Sequence, residues 1–499
     1  MSEAKKKYSG NQRPKARGFR ENSGNQVNRP ESGDRRPARG DRRPPRPAVK
    51  RTPPPTDGLP ARRIALRVIR EVTENGAYTS LALDRALRDC GLSFQDRRLA
   101  ARLAMDTLDN LMKLDWALSQ FMARQDTDIK LRNVLRLGAC QLLLEDRIPE
   151  SAATNTSVTL CREIGLDGLA GVCNGILRNL VRGKAEITYP DPAEEPLKAL
   201  SIASSTPEWL VQQILEDWGE ETGRGILQHQ AHESSVSIRR NLLQVSEEEF
   251  DRMLAGKVWQ AEAGLLPDSR RIRGMADLGA DRDFTGGRFS IQSESSMLAC
   301  PALAPRRGWQ VLDLCAAPGG KSCYLAELMD GTGRVWAWEV HEHRTALITA
   351  QMRRLRLDNV RPVTRDATVV KEELLGTMDG VLLDAPCSGT GDMAEKPDIK
   401  YKLTAEKLAE LTELQAKLLD TAAGYVKPGG TLVYSTCSLL RQENDQQLAA
   451  FLERHPEFAP LSLPESIPAE LRDKANPGLQ LLPQVEGIGG FYLCRLQKR

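Results

Sequence analysis

Ala65, Val68, Ile69 and Val72 recur at i, i+3, i+4 and i+7, the spacing that lines up apolar side chains on one face of a helix. The same period runs through RRLAARLAMDTLDNLMKLDWALSQFM from 97 and LRNVLRLGACQLLL from 131, while NGILRNLVRGK at 174–184 ends with basic residues in a last turn. Residues 61–185 are therefore predicted to be all-helical. Near 200 the texture changes. STPEWLVQQILEDWG predicts a helix capped by Thr206, with Pro207 in first position and Trp209, Leu210 and Ile214 on its apolar face. SVSIRRNLL at 235–243 reads as a strand and GRFSIQSESSML at 287–298 as a short strand entering a helix, so 186–300 is expected to form a small α+β domain. From 308 onward apolar runs of strand length alternate with helices. That alternation predicts a doubly wound, Rossmann-like parallel sheet over 301–499.

Composition adds a fourth segment. Residues 1–51 hold 16 Lys and Arg against 5 Asp and Glu, a net +11, which leaves the other 448 residues at −8 within a total of +3. The Arg, Gly, Pro and Asn bias of this stretch, as in RPARGDRRPPRP, cannot build a core, so 1–60 is expected to be a disordered basic arm attracted to a polyanion such as RNA. The start, MSEAKKKYSG, lacks the apolar centre of a signal peptide, and no apolar run approaches the roughly 20 residues of a membrane helix. A cytoplasmic protein without membrane contact is expected. The ten cysteines include no Cys-x-x-Cys pair, which argues against a zinc ribbon or a thioredoxin-type site, and with five histidines no metal is assigned.

Within 301–499 the chemistry gathers at strand ends. GWQVLDLCAAPGGKSCYLAELM at 308–329 has the order strand, glycine turn, helix, which presents backbone N–H groups to a ligand. A phosphate-binding P-loop would need glycine where Cys315 stands, and the dinucleotide pattern Gly-x-Gly-x-x-Gly is missing, since Ala316, Ala317 and Pro318 precede Gly319 and Gly320. An adenosyl ligand without a pyrophosphate fits better. Glu339 closes the next strand 19 residues after Gly320, where an acid can accept hydrogen bonds from ribose hydroxyls, and Asp366 and Asp384 close two more. Two cysteines follow strand-like runs in the same way: Cys387 in DGVLLDAPCSGTG and Cys437 in GTLVYSTCSLL. Two thiols at two strand ends point to one shared site.

LDLCAAPGGK, LLDAPCSGTG and YSTCS, in this order and spacing, resemble the cytosine-5 RNA methyltransferases that use S-adenosylmethionine. IPESAATNTSVTLCREIG and GVCNGILRNL resemble the NusB-like RNA-binding domain fused to one bacterial subfamily, whose members methylate cytosine 967 of 16S ribosomal RNA. The likeness runs from about 61 to 499. It implies that Cys437 is the nucleophile, that Cys387 assists release of the methylated product, and that Asp384 steadies the ring at nitrogen 3. It also implies that Cys315, Ala316, Ala317, Pro318, Gly319, Gly320, Lys321, Glu339, Arg344, Asp366 and Asp384 bind S-adenosylmethionine. Arg239, Arg240 and Asn241, with Lys396 and Lys400 of KPDIKYK, are the candidates for holding RNA. A monomer acting on small-subunit ribosomal RNA is expected.

The chemistry explains the need for a thiolate. Carbon 5 of cytosine is a poor nucleophile until a thiolate adds to carbon 6 and makes it enamine-like, which divides one hard step into easier ones. Two departures from the family pattern stand out. Glu339 replaces the usual aspartate, and Gly489 in GIGGFYLCRLQ, a segment read as the last, edge strand, stands where an acid is usual. Two other readings fit the same residues: a NusB-like assembly factor with an inactive methyltransferase fold, or the same chemistry on transfer RNA or another ribosomal site.

Overall fold

The computed structural model describes residues 58–88, 90–229, 235–275 and 278–499. The basic arm expected over 1–60 lies, up to residue 57, outside the described residues.

Among the described residues, seven α-helices occupy the chain from Leu59 to Gly183. The first, Leu59–Asn75, starts from Gly58 at φ 84° with Pro60 in its opening turn, where a missing N–H sacrifices no hydrogen bond, and stops at Gly76. Ala65, Val68, Ile69 and Val72 are buried, as their spacing predicts, in a core shared with Leu103, Leu135 and Leu177. Each such leucine contributes about 1.5–3 kcal/mol relative to exposure, so apolar burial accounts for the bundle's cohesion. Helix Glu208–Gln228 differs from expectation at its start. The Thr206 hydroxyl donates to the Ser204 carbonyl (3.2 Å) instead of capping the helix, because Pro207 occupies the cap position. Leu210 and Ile214 are buried as expected, against Leu403, Leu439 and Leu440 of the C-terminal region.

A four-stranded antiparallel sheet follows, made of β1 (Val236–Arg240), β2 (Gln260–Ala263), β3 (Ser269–Arg273) and β4 (Phe289–Ile291) in the order β2-β3-β1-β4. The larger sheet contains β5 (Gln310–Asp313), β6 (Arg334–Glu339), β7 (Val360–Thr364), β8 (Met378–Asp384), β9 (Val426–Thr436), β10 (Phe458–Pro460), β11 (Leu479–Leu481) and β12 (Phe491–Lys498). Its order is β10-β12-β9-β8-β5-β6-β7, with β11 also on β12. Strands β5 to β9 pair in parallel and bury both faces: Val311, Leu382 and Val433 enter one core, Leu312, Leu383 and Tyr434 the other. The sheet is mixed, since β12 runs antiparallel to β9. Nor is β12 an edge strand, because β10 and β11 pair with it.

The chain leaves β5 for β6 and β7 on one side and returns to β8 on the other. Strand order therefore reverses between β5 and β8, and open α/β sheets bind ligands at the carboxyl ends of strands at such a point.

Candidate active site

The turn from β5 into helix Gly320–Leu328 lies at this reversal. The Ala316 N–H donates to the Trp338 carbonyl at the end of β6 (2.8 Å), which anchors the turn to the neighbouring strand. Gly319 adopts φ 107°, and a Cβ there would approach Ile348 Cα at 3.1 Å, so both conformation and space require glycine. Lys321, in the first helical turn, donates to Asp384 Oδ2 (2.7 Å) and to Ser296 Oγ (2.5 Å). The other Asp384 oxygen accepts from Ser435 (2.8 Å). Burial alone would lower the Lys321 ammonium, but the charge and hydrogen bond of Asp384 outweigh it, and its pKa is raised. Lys321 thus stays charged and joins the β5 turn to the end of β8.

The remaining acids differ in state. Glu339 is buried at the end of β6, accepts from the His341 N–H (3.0 Å) and pairs with Arg344 (3.2 Å), whose guanidinium also donates to the Ala317 carbonyl (3.3 Å). Arg344 thereby ties this acid to the glycine turn. Asp366 is exposed beyond β7, and its carboxyl is lowered by hydrogen bonds from the Thr368 hydroxyl and N–H. Asp313, which sequence reasoning passed over, is fully buried at the end of β5. It accepts from Ser322 (2.6 Å), and burial pushes it up to about 7.

The two cysteines meet. Their Sγ atoms are 3.3 Å apart. Parallel pairing of β8 with β9 sets Asp384 opposite Ser435, so the loop three residues on from one and two residues on from the other emerge side by side. The Gly391 N–H donates to the Cys437 carbonyl (2.9 Å), which joins the loops again. The Cys387 thiol is raised well above its ordinary value by its hydrogen bond with Cys437, then by burial and by the nearby charges of Cys437 and Glu443. Ser388, Ser438 and Glu443, which also went unnoticed as site residues, link the two loops through hydrogen bonds.

The RNA candidates separate. Arg239 is withdrawn from the surface: its guanidinium pairs with Glu327 (2.5 Å), both side chains have no exposed area, and it stacks 3.9 Å from the Tyr324 ring centroid. Asn241 is also buried, donating to the Gly287 and Leu355 carbonyls. Lys400 is buried on Asp109 and the Ser204 carbonyl, tying the loop after Cys387 to the helical region. These three are buried and join parts of the fold, a role that a run of polar residues does not reveal, since it does not show which members find internal partners. Arg240 is mostly buried beside Asp268. Lys396 remains accessible, paired with Asp392 (2.6 Å); burial lowers its ammonium, and the charges of Asp392 and Cys437 raise it on balance. Among the described residues no cluster suits a metal ion, and no helix is long and apolar enough to cross a membrane.

The fold and the sequence likenesses define a methyltransferase. A methyltransferase homolog from Pyrococcus horikoshii superposes with a TM-score of 0.53 at 27% identity, covering 62% of this chain and 100% of its own. The crystal structure of PH0851 gives 0.76 at 26% identity, over 88% of this chain and 99% of its own. The family model for 16S rRNA methyltransferase RsmB/F matches residues 300–497, and that of the NusB family matches 59–182. A probable ribosomal RNA small subunit methyltransferase B of Bacillus subtilis is 36% identical over 88% of this chain and 98% of its own length. The ribosomal RNA small subunit methyltransferase B of Klebsiella pneumoniae is 34% identical over the same shares. The chain belongs to the ribosomal RNA small subunit methyltransferase B family.

Proposed function

We propose that the protein methylates carbon 5 of a cytosine in 16S ribosomal RNA, by resemblance cytosine 967, through a covalent Cys437 adduct at carbon 6. The observation that carries this reading is the approach of the two thiols to 3.3 Å, on the two loops that follow the hydrogen-bonded pair Asp384 and Ser435. Residues 315–321 with Glu339, Arg344, Asp366 and Asp384 are suited to an adenosyl ligand. They offer backbone N–H groups, a tight turn that requires glycine at 319, and acids for hydroxyl groups. When bound there, S-adenosylmethionine supplies an electrophilic methyl group.

The Cys437 thiolate adds to carbon 6 and the ring electrons move towards nitrogen 3, where Asp384, in a protonated form released from its Lys321 pair, donates a proton. Carbon 5 then has enamine character and takes the methyl group. Loss of the carbon 5 proton to a base, with return of the nitrogen 3 proton to Asp384, expels the Cys437 thiolate and restores the aromatic ring. Cys387, protonated beside Cys437, assists this release. A base inside a duplex cannot reach such a crevice, so the target cytosine is unpaired or flipped out. Lys396 is the accessible cation near Cys437 and would hold an RNA phosphate. The protein would act as a cytoplasmic monomer.

The test is a denaturing gel of the Cys387→Ala and Cys437→Ala proteins, each mixed with unmethylated 16S ribosomal RNA fragments and S-adenosylmethionine. A retarded covalent adduct is expected with Cys387→Ala alone, and digestion of the trapped RNA would identify the cytosine. An adduct only with Cys437→Ala would reverse the two roles. No adduct in either lane, with cofactor and RNA binding verified, would overturn the covalent route.

A further inference from the structure

Glu443 lies in the single turn Arg441–Glu443 that follows Cys437, and its side chain is fully buried. One carboxylate oxygen accepts from the Ser388 backbone N–H (2.8 Å) and from Gln415 Nε2 (2.9 Å). The other accepts from the hydroxyls of Ser388 and Ser438, each at 2.5 Å. Ser388 directly follows Cys387 and Ser438 directly follows Cys437. The same two hydroxyls lie 3.1 Å from each other, and Thr390 adds contacts of 3.2 Å to both. Gln415 in turn donates to the Pro386 carbonyl (2.9 Å), on the other side of Cys387.

All four donors to Glu443 are neutral. A carboxylate withdrawn from water is costly unless its oxygens are hydrogen-bonded, and these are, by groups adjoining each cysteine. Strand pairing and the Gly391–Cys437 backbone bond bring the two loops together, and because neither cysteine belongs to a strand, side-chain contacts add to what fixes their register.

We infer that Glu443 is a positioning residue whose carboxylate holds the loops of Cys387 and Cys437 in one register, acting through Ser388 and Ser438. This rests on the covalent reading of the two cysteines. The negative charge of Glu443 also adds to the effects that keep the Cys387 thiol protonated.

The test uses the full-length Glu443→Gln protein, which keeps the side-chain shape and removes the charge. Two readouts are paired: steady-state methyl transfer to 16S ribosomal RNA, and the pH dependence of iodoacetamide alkylation at Cys387, followed by peptide mass mapping without RNA. We expect kcat to fall about 10- to 100-fold, the scale set by small misplacements of reacting groups, with KM for RNA and S-adenosylmethionine changed less than about threefold. Alkylation of Cys387 should move to lower pH. Unchanged kcat with an unchanged alkylation profile overturns the inference, as does a parallel loss of kcat, cofactor affinity and thermal stability.

If Glu443→Gln does not fold, Ser388→Ala and Ser438→Ala take its place. Each should lower kcat, and their losses should be non-additive, because both hydroxyls serve one carboxylate. Strictly additive losses would overturn the inference. Alkylation needs no RNA, so a shifted Cys387 profile in a protein that forms no RNA adduct would sink the proposed chemistry while leaving the positioning role intact.

Discussion

The sulfur atoms of Cys387 and Cys437 lie 3.3 Å apart although 50 residues separate them in the chain. A two-electron oxidant such as diamide can take one hydrogen from each thiol, leaving a Cys387–Cys437 disulfide and the reduced hydrazine. Methyl transfer should then be lost and should return on treatment with dithiothreitol. Non-reducing peptide mapping checks this by detecting the linked pair, which the Cys387→Ala protein cannot form. Full activity in a protein shown to carry the cross-link would contradict the assignment of both thiols to catalysis.

Lys321 joins the glycine turn to Asp384 across the strand reversal. Replacing it with Met leaves the Asp384 carboxylate without its cation and removes a donor from the ligand crevice. S-adenosylhomocysteine affinity, measured by calorimetry, is expected to fall at least tenfold, about 1.4 kcal/mol. Affinity equal to that of the unaltered protein would remove Lys321 from the cofactor site.

Arg239→Met tests an interior role against an RNA role. The substitution strands the Glu327 carboxylate in a site with no exposed side-chain area, which should cost about 3–5 kcal/mol of stability in denaturant titration. The salt dependence of RNA binding should keep its slope, whereas a lost phosphate contact would reduce it by about one.

Asp313 gives stability a pH dependence of defined sign. Burial raises its folded pKa from 3.8 to about 7, so between these values the folded protein binds a proton that the unfolded chain releases. Its contribution is fully present below pH 3.8 and is lost as pH rises through 7. Asp313→Asn should therefore melt higher than the unaltered protein at pH 8 and shed the pH dependence over this window. Equal melting temperatures at pH 8 would show that the carboxyl is not penalised in the fold.

Much of the architecture could be read from periodicity. The apolar spacing of Ala65, Val68, Ile69 and Val72 matches their burial, and the alternation after 308 matches the parallel strands β5 to β9. Strand neighbours were less legible. The run Phe491–Lys498 looks like an edge strand because nothing in its own residues records that Phe458–Pro460 and Leu479–Leu481 both pair with it. Charge runs were least legible of all: Arg239, Asn241 and Lys400 look like surface groups, and their partners Glu327, Leu355 and Asp109 lie 88, 114 and 291 residues away.

The sequence by itself determined which chemistry was available. The glycine turn after β5, the strand-end acids and the two cysteines are local features, and a short motif carries its own backbone conformation and reactive groups. Tertiary structure alone decided which of these groups meet. Parallel register between β8 and β9 brings the thiols together, the strand reversal sets Lys321 against Asp384, and the turn at Glu443 returns to both cysteine loops. Such contacts depend on strand order and on which buried polar atoms find partners, and both are properties of the packed chain.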